Sequence, residues 1–161
     1  MTRGYALFLN FLIGASAFQI SVSGHGMAAV VFKDIPQSHV ERFSVAFELI
    51  AAGKQLGKID EDALKSVLSS IYKEKFISTK EESDFWLAEW RKNPAIDTPW
   101  DFGSWVEAFM NAEIDLQKII FSADGSGSVS FEQLACPSGG SDALENLVKV
   151  FGGVVVSNSA L

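Results

Sequence analysis

Cysteine and histidine are scarce in this chain of 161 residues. The single cysteine, Cys136, excludes an internal disulfide framework and any zinc site built from several cysteines. The two histidines, His25 and His39, are too few for a histidine-based metal site. The sequence also lacks the motifs of nucleophile elbows, phosphate loops, zinc proteases and dinucleotide-binding folds. These absences predict a protein that is not an enzyme.

Acidic residues are missing from the first 33 positions, where Arg3 and Lys33 carry the only charges. The chain nevertheless has a formal net charge of −7, so its acidic character is concentrated after Lys33. Nucleic-acid binding needs a basic surface, and an acidic body excludes it as a function. Acidity is compatible with cation binding, although by itself it mainly favours solubility.

The uncharged N-terminus has two interpretations. Residues 5–18 read YALFLNFLIGASAF, which is typical of a secretory signal peptide cleaved after Ala17. Cleavage would make the protein secreted. Alternatively the segment is retained and begins the fold, which would make the protein cytoplasmic, or membrane-associated if the segment serves as an anchor. We therefore divide the chain into an apolar N-terminal segment, residues 1–33, and a helical domain, residues 34–161.

Apolar residues recur every three to four positions after residue 37, which is the spacing of amphipathic helices. The pattern predicts helices around residues 40–50, 64–71, 85–93, 102–109, 114–121 and 144–151, with a short helix starting at Phe131. Glycine and serine make residues 123–130 a loop. Alternation with a period of two is not sustained anywhere, and the best strand candidate is Val154–Val156. The predicted fold class is therefore all-α.

The stretch Ser122–Gln133 carries the most specific motif, SADGSGSVSFEQ. It resembles the calcium-binding loop of EF-hand proteins, with Gly127 at the bend of the loop. An EF-hand loop supplies oxygen ligands at positions 1, 3, 5, 7, 9 and 12 and a glycine at position 6. The resemblance implies a Ca²⁺ site whose ligands are Ser122, Asp124, Ser126, Ser128, Ser130 and Gln133.

Two positions of this loop depart from the family pattern. Ser122 stands where an aspartate is usual, and Gln133 stands where a bidentate glutamate belongs. Two charged ligands are therefore missing. The resemblance implies at most one weak site, with an affinity of about a millimolar.

Three further stretches align with this loop through their apolar residues but have almost no ligands. They are residues 13–24, 52–63 and 93–104, the last with 89–100 as an alternative register. Together with the last loop they make the chain similar to sarcoplasmic calcium-binding proteins and calcium-regulated photoproteins. That resemblance implies EF-hand pairs, which are helix–loop–helix repeats, packed into one compact globule around an apolar interior.

Three functions follow from the resemblance. The first is a calcium-binding protein with one weak site at residues 122–133. The second is a scaffold that has lost calcium binding and serves as an interaction module for a protein partner, or as a carrier for a small apolar ligand. The third, a luciferase-like oxygenase, would need a cavity lined by histidine and tyrosine. A group of aromatic residues either fills the core or lines such a cavity: Trp86, Trp90, Trp100, Phe102, Trp105 and Phe109.

Overall fold

The computed structural model describes residues 26–135 and 139–160. Helices hold 50% of these residues and strands 24%, so the fold is mixed α/β and the prediction of an all-α fold is wrong. The candidate signal peptide with its cleavage point after Ala17, the aligned loop 13–24 and Cys136 lie outside the described residues.

Helices and strands are interleaved along the described part of the chain. The helices are α1 (Val40–Leu56), α2 (Glu61–Leu68), α3 (Ser70–Lys75), α4 (Lys80–Lys92), α5 (Phe102–Asn111) and α6 (Asp142–Val150). The strands are β1 (Gly26–Lys33), β2 (Phe76–Ile77), β3 (Trp100–Asp101), β4 (Ile114–Phe121), β5 (Gly127–Gln133) and β6 (Val154–Asn158). The strand predicted at Val154–Val156 is confirmed as the start of β6.

Four strands form an antiparallel sheet in the order β4-β5-β1-β6. β1 is an inner strand of this sheet, although it belongs to the segment that the sequence pattern sets apart as residues 1–33. One face of the sheet is apolar, with Val30 and Phe32 of β1 and Val129 and Phe131 of β5 all buried. Burial of this face against the helices creates the core.

Aromatic rings form two clusters in the core. Phe32, Phe43, Phe121 and Phe151 make one cluster, in which the rings of Phe43 and Phe151 stack with centroids 5.1 Å apart. Tyr72, Phe76, Phe102, Trp105 and Phe109 make the other. The buried indole nitrogen of Trp105 donates a hydrogen bond to the Ala143 carbonyl at 3.1 Å, which ties α5 to α6.

The predicted helix at residues 114–121 is instead strand β4, and a bulge explains the difference. The pairing of β4 with β5 shifts register between Leu116 and Lys118. Ile114 and Leu116 are buried, and after the bulge Ile119 and Phe121 pack against the core. The extra residue in the strand changes the spacing of inward residues from two to three at that point. The resulting pattern imitates the spacing of a helix.

The stretches 52–63 and 93–104, which align in sequence with the predicted calcium loop, are not EF-hand loops in the structure. α1 continues through Leu56, and only residues 57–60 separate it from α2. Gly57 ends α1 with a left-handed backbone, at a φ of 77°. In the second region β3 pairs with β2, and this pair is parallel. Helix–loop–helix units with twelve-residue loops are therefore not formed at these places.

Candidate functional site

The predicted calcium loop is a β-hairpin. Ser122 and Asp124 lie in the turn between β4 and β5, and the later predicted ligands Ser128, Ser130 and Gln133 lie along β5. The turn closes through a hydrogen bond from the Ser122 amide to the Ser126 carbonyl, at 2.8 Å. The Asp-Gly dipeptide of the motif is thus a hairpin turn, for which it is also a strong signal.

The structure brings Asp124 and Ser126 together. The Oδ1 atom of Asp124 accepts hydrogen bonds from the Ser126 amide at 3.0 Å and from the Ser126 hydroxyl at 2.6 Å. These hydrogen bonds, led by that of the hydroxyl, lower the pKa of Asp124. The carboxylate therefore organises the turn in the manner of an Asx-turn.

The other predicted ligands do not converge with Asp124. The Ser130 hydroxyl donates to the Lys118 carbonyl at 3.3 Å, and the Gln133 amide donates to the Ala135 carbonyl at 2.8 Å. A strand rises about 3.3 Å per residue, so Ser126 and Gln133 are separated by roughly 20 Å. One ion cannot reach both.

The predictions of an EF-hand protein and of a metal-binding cluster are therefore wrong for the described residues. Within residues 26–135 and 139–160 no group of three or more His, Cys, Asp or Glu side chains is placed to hold a metal ion. Calcium binding itself stays an untested prediction. The helix–loop–helix geometry on which that prediction was based is not present at residues 122–133.

The most unusual surface feature is α4, a helix of 13 residues with no buried side chain. Its N-terminus carries a complete capping box. The Thr79 hydroxyl accepts from the Glu82 amide at 3.2 Å, and the Glu82 carboxylate accepts from the Thr79 amide at 3.2 Å. The Ser78 amide also donates to Glu82, and this hydrogen bond is the main cause of the lowered pKa of Glu82. Local interactions thus define where the helix begins.

Large apolar side chains of α4 face solvent. Phe85 is 56% exposed, Leu87 45% and Trp90 47%, and Trp86 is half-buried. Each would normally contribute about 1.5–3 kcal/mol to folding if it were buried. Their exposure on one short helix makes α4 a candidate contact surface.

An open apolar groove runs along one side of this helix. Its volume is about 310 Å³. It is lined by Ile77, Ser83, Trp86, Leu87, Trp90 and Thr98. The four residues from α4 recur at intervals of three and four, so they share one side of the helix. We call this surface the α4 groove.

The sequence pattern predicts that the aromatic residues between positions 86 and 109 fill the core or line a cavity. Phe102, Trp105 and Phe109 of α5 are buried in the core, whereas Trp90 of α4 is 47% exposed and lines the open groove instead. The sequence does contain a sign that α4 is exposed. Seven of its thirteen residues are charged: Lys80, Glu81, Glu82, Asp84, Glu89, Arg91 and Lys92. Such a helix has too narrow an apolar stripe for the interior.

Two further clefts of the described chain are lined largely by charged and polar side chains. One of about 500 Å³ is lined by residues 58–62, and one of about 310 Å³ lies between Glu74, Asp97 and Lys149. Among the described helices, none is both long enough and apolar enough to span a membrane.

Comparisons with models of known protein families, with curated proteins and with solved structures find no match for this chain.

Proposed function

We propose that this protein is an interaction module that binds a protein partner through the α4 groove. The proposal is based on the solvent exposure of the apolar side chains of α4. α4 is a capped amphipathic helix whose two tryptophans and one leucine line a groove, while none of its residues is buried. Tryptophan is the residue type most enriched among the side chains that dominate binding energy at protein interfaces.

Helix energetics support a partner. Isolated helices shorter than about 12–15 residues are marginal in water, and tertiary packing normally stabilises them. α4 receives little packing from its own chain, because its exposed apolar side chains contact solvent instead of the core. A partner that covered the groove would provide the missing burial. The helix-in-groove mode of recognition uses apolar residues at this same three-to-four spacing.

A protein fits this surface better than a membrane or a small molecule does. Helices that lie on membranes are rich in lysine and arginine on their polar side, whereas α4 has four acidic and three basic residues. Small-molecule sites usually enclose about 70–90% of the ligand surface. The α4 groove is an open surface feature and does not provide such an enclosure.

Site-specific photo-crosslinking in the native cell tests the proposal. A photoreactive phenylalanine analogue is placed at position 90 in the groove, and in a control protein at position 56. Leu56 is 83% exposed at the end of α1, so the control keeps an exposed apolar position away from α4. We expect a discrete protein adduct from position 90 and none from position 56.

Two results would contradict the proposal. The first is equal labelling from positions 90 and 56, which would indicate non-specific collisions. The second is the absence of any protein adduct at position 90. The adduct from position 90 should also disappear when Leu87 is replaced by alanine, because Leu87 lines the same groove.

A further inference from the structure

We propose that the partner of the α4 groove is a second copy of this chain, bound with the two α4 helices antiparallel. This inference rests on the proposed function and specifies its partner. It comes from the distribution of charge along α4. Residues 80–84 carry Glu81, Glu82 and Asp84 against Lys80, and residues 89–92 carry Arg91 and Lys92 against Glu89, so the N-terminal end is acidic in net charge and the C-terminal end basic.

Antiparallel pairing places the acidic half of each helix beside the basic end of the other. Parallel pairing would oppose like charges at both ends. A symmetric dimer needs a surface that complements itself after a two-fold rotation. A helix that is acidic at one end and basic at the other satisfies this requirement only in the antiparallel arrangement.

Asp84 and Arg91 are the charges best placed for this pairing. They are seven residues apart, which is two helical turns, and Leu87 of the groove lies between them on the same side. Neither residue forms an ion pair with the described part of the chain, whereas Glu89 is paired with Lys92 at 2.5 Å. In the antiparallel dimer each Asp84 faces Arg91 of the second copy. A symmetric dimer contains this ion pair twice.

The same arrangement covers the apolar side chains of the α4 groove. A two-fold axis near position 88 sets Trp86 of one copy beside Trp90 of the other, and Leu87 lies close to the axis. A helix of 13 residues is about 20 Å long, so two paired α4 helices bury less surface than a standard protein interface does. We therefore expect a weak, reversible dimer with a dissociation constant of about 1–100 μM.

Sedimentation velocity of the full chain with charge-swap variants tests the pairing. In Asp84→Arg both facing positions are basic, and in Arg91→Asp both are acidic, so each variant alone should associate about tenfold more weakly than the wild type. An equimolar mixture of the two variants restores both opposite-charge pairs. We expect the mixture to form dimers within about threefold of the wild-type affinity.

Apolar variants complete the experiment. Trp90→Ala should weaken the dimer by at least about tenfold, whereas the exposed control Leu56→Ala should leave it unchanged. Circular dichroism of each variant checks that the fold is retained. A wild-type chain that stays monomeric at several hundred micromolar, or a mixture that does not recover affinity, would overturn the inference.

Other occupants of the groove give different results. If the apolar residues 5–18 of the same chain covered the groove, the protein would stay monomeric. Trp90→Ala would then leave the association state measured by sedimentation unchanged. If a lipid surface covered it, neutral or anionic phosphatidylcholine–phosphatidylglycerol vesicles would shift tryptophan fluorescence of a monomeric protein. Both results overturn the inference. A position-90 adduct with a different protein would also overturn it, but would leave the proposed function standing.

Discussion

At the scale of single residues, two glycines are needed for different reasons, one for its backbone conformation alone and one for close packing as well. Gly57 and Gly125 both have a left-handed backbone, with φ of 77° and 79°. No atom of the surrounding structure lies within 4 Å of the place where a Cβ would stand at Gly57. At Gly125 a Cβ would collide with the carbonyl oxygen of Ile35, because the hairpin turn docks there. The Ile35 amide donates to the Gly125 carbonyl at 3.0 Å.

Alanine at these two positions should therefore have unequal effects on stability. We expect Gly57→Ala to reduce the free energy of unfolding by about 1 kcal/mol, from the unfavourable backbone alone. Gly125→Ala adds the collision with Ile35 and should cost about 2–4 kcal/mol. Urea unfolding of both variants measures the difference. Equal losses would show that the hairpin turn does not dock against Ile35.

Lys54 acts as a cap for the end of α5. Its ammonium group donates to the carbonyls of Phe109 at 2.5 Å and Ala112 at 2.8 Å, which are at or just beyond the last turn of α5. Burial lowers the pKa of Lys54, and the charge of Asp115 partly opposes that shift. Lys54 therefore has a structural role, as the donor that satisfies carbonyl groups at the end of α5.

Removing this cap should destabilise the fold. Lys54→Met leaves two carbonyl oxygens without their charged donor, and we expect a loss of about 2 kcal/mol in chemical denaturation. Lys58→Met is the matched control, since Lys58 is exposed and forms no ion pair in the described structure. It should change stability by less than about 0.5 kcal/mol. Similar losses in the two variants would rule out the capping role.

At the scale of elements, helices with a broad buried stripe could be predicted from the sequence. The stripe of α1 contains Phe43, Phe47 and Ile50, which are all buried. The predicted helix that contains Trp105 is likewise confirmed as α5. β4 could not be recognised, because the bulge near Lys118 disguises its period. β5 does carry a polar–apolar alternation over residues 128–132, with Val129 and Phe131 buried, but the alternation is short and lies within the predicted calcium loop. The short helix predicted from Phe131 is therefore wrong. The Asp-Gly turn was compatible with a hairpin and with a calcium loop, and only the pairing of the strands separates the two.

The capping box of α4 should make its N-terminus sensitive to acid. Hydrogen bonds, chiefly from the Ser78 amide, lower the pKa of Glu82 from its ordinary value of 4.5. A carboxylate with a lowered pKa in the folded state stabilises that state above its unfolded pKa, and the contribution disappears as the pH falls through the folded pKa. The first turn of α4 should therefore open at a pH below 4.5, as the pH falls through the lowered pKa of Glu82.

NMR-detected hydrogen exchange of the amides in residues 80–84 follows this opening. Protection should decrease as the pH falls through the pKa of Glu82, after correction for the intrinsic exchange rate. In Glu82→Gln, which has no titrating carboxylate, protection should be lower at neutral pH and should lose this pH dependence. A wild-type profile without the acid transition would mean that the capping box does not stabilise α4.

At the scale of the whole molecule, local sequence patterns did not show which surfaces remain uncovered. The aromatic residues between positions 85 and 109 look alike in sequence, yet Trp105 is fully buried while Trp90 is 47% exposed. The difference arises from tertiary packing, because α5 packs against α1 and α6 whereas α4 packs extensively against none of the other described elements. The predicted site at 122–133 and the proposed α4 groove are separate parts of the chain.

In the proposed dimer a second copy of the chain covers the α4 groove. Fluorine NMR of protein labelled with 5-fluorotryptophan tests this arrangement, because the chain has four tryptophans, at positions 86, 90, 100 and 105. As the concentration rises from about 1 μM to 1 mM, we predict that the signals of Trp86 and Trp90 shift together along one binding curve. The signal of Trp105, which is buried in the core, should not move. Signals of Trp86 and Trp90 that stay constant over this range would contradict the proposed dimer.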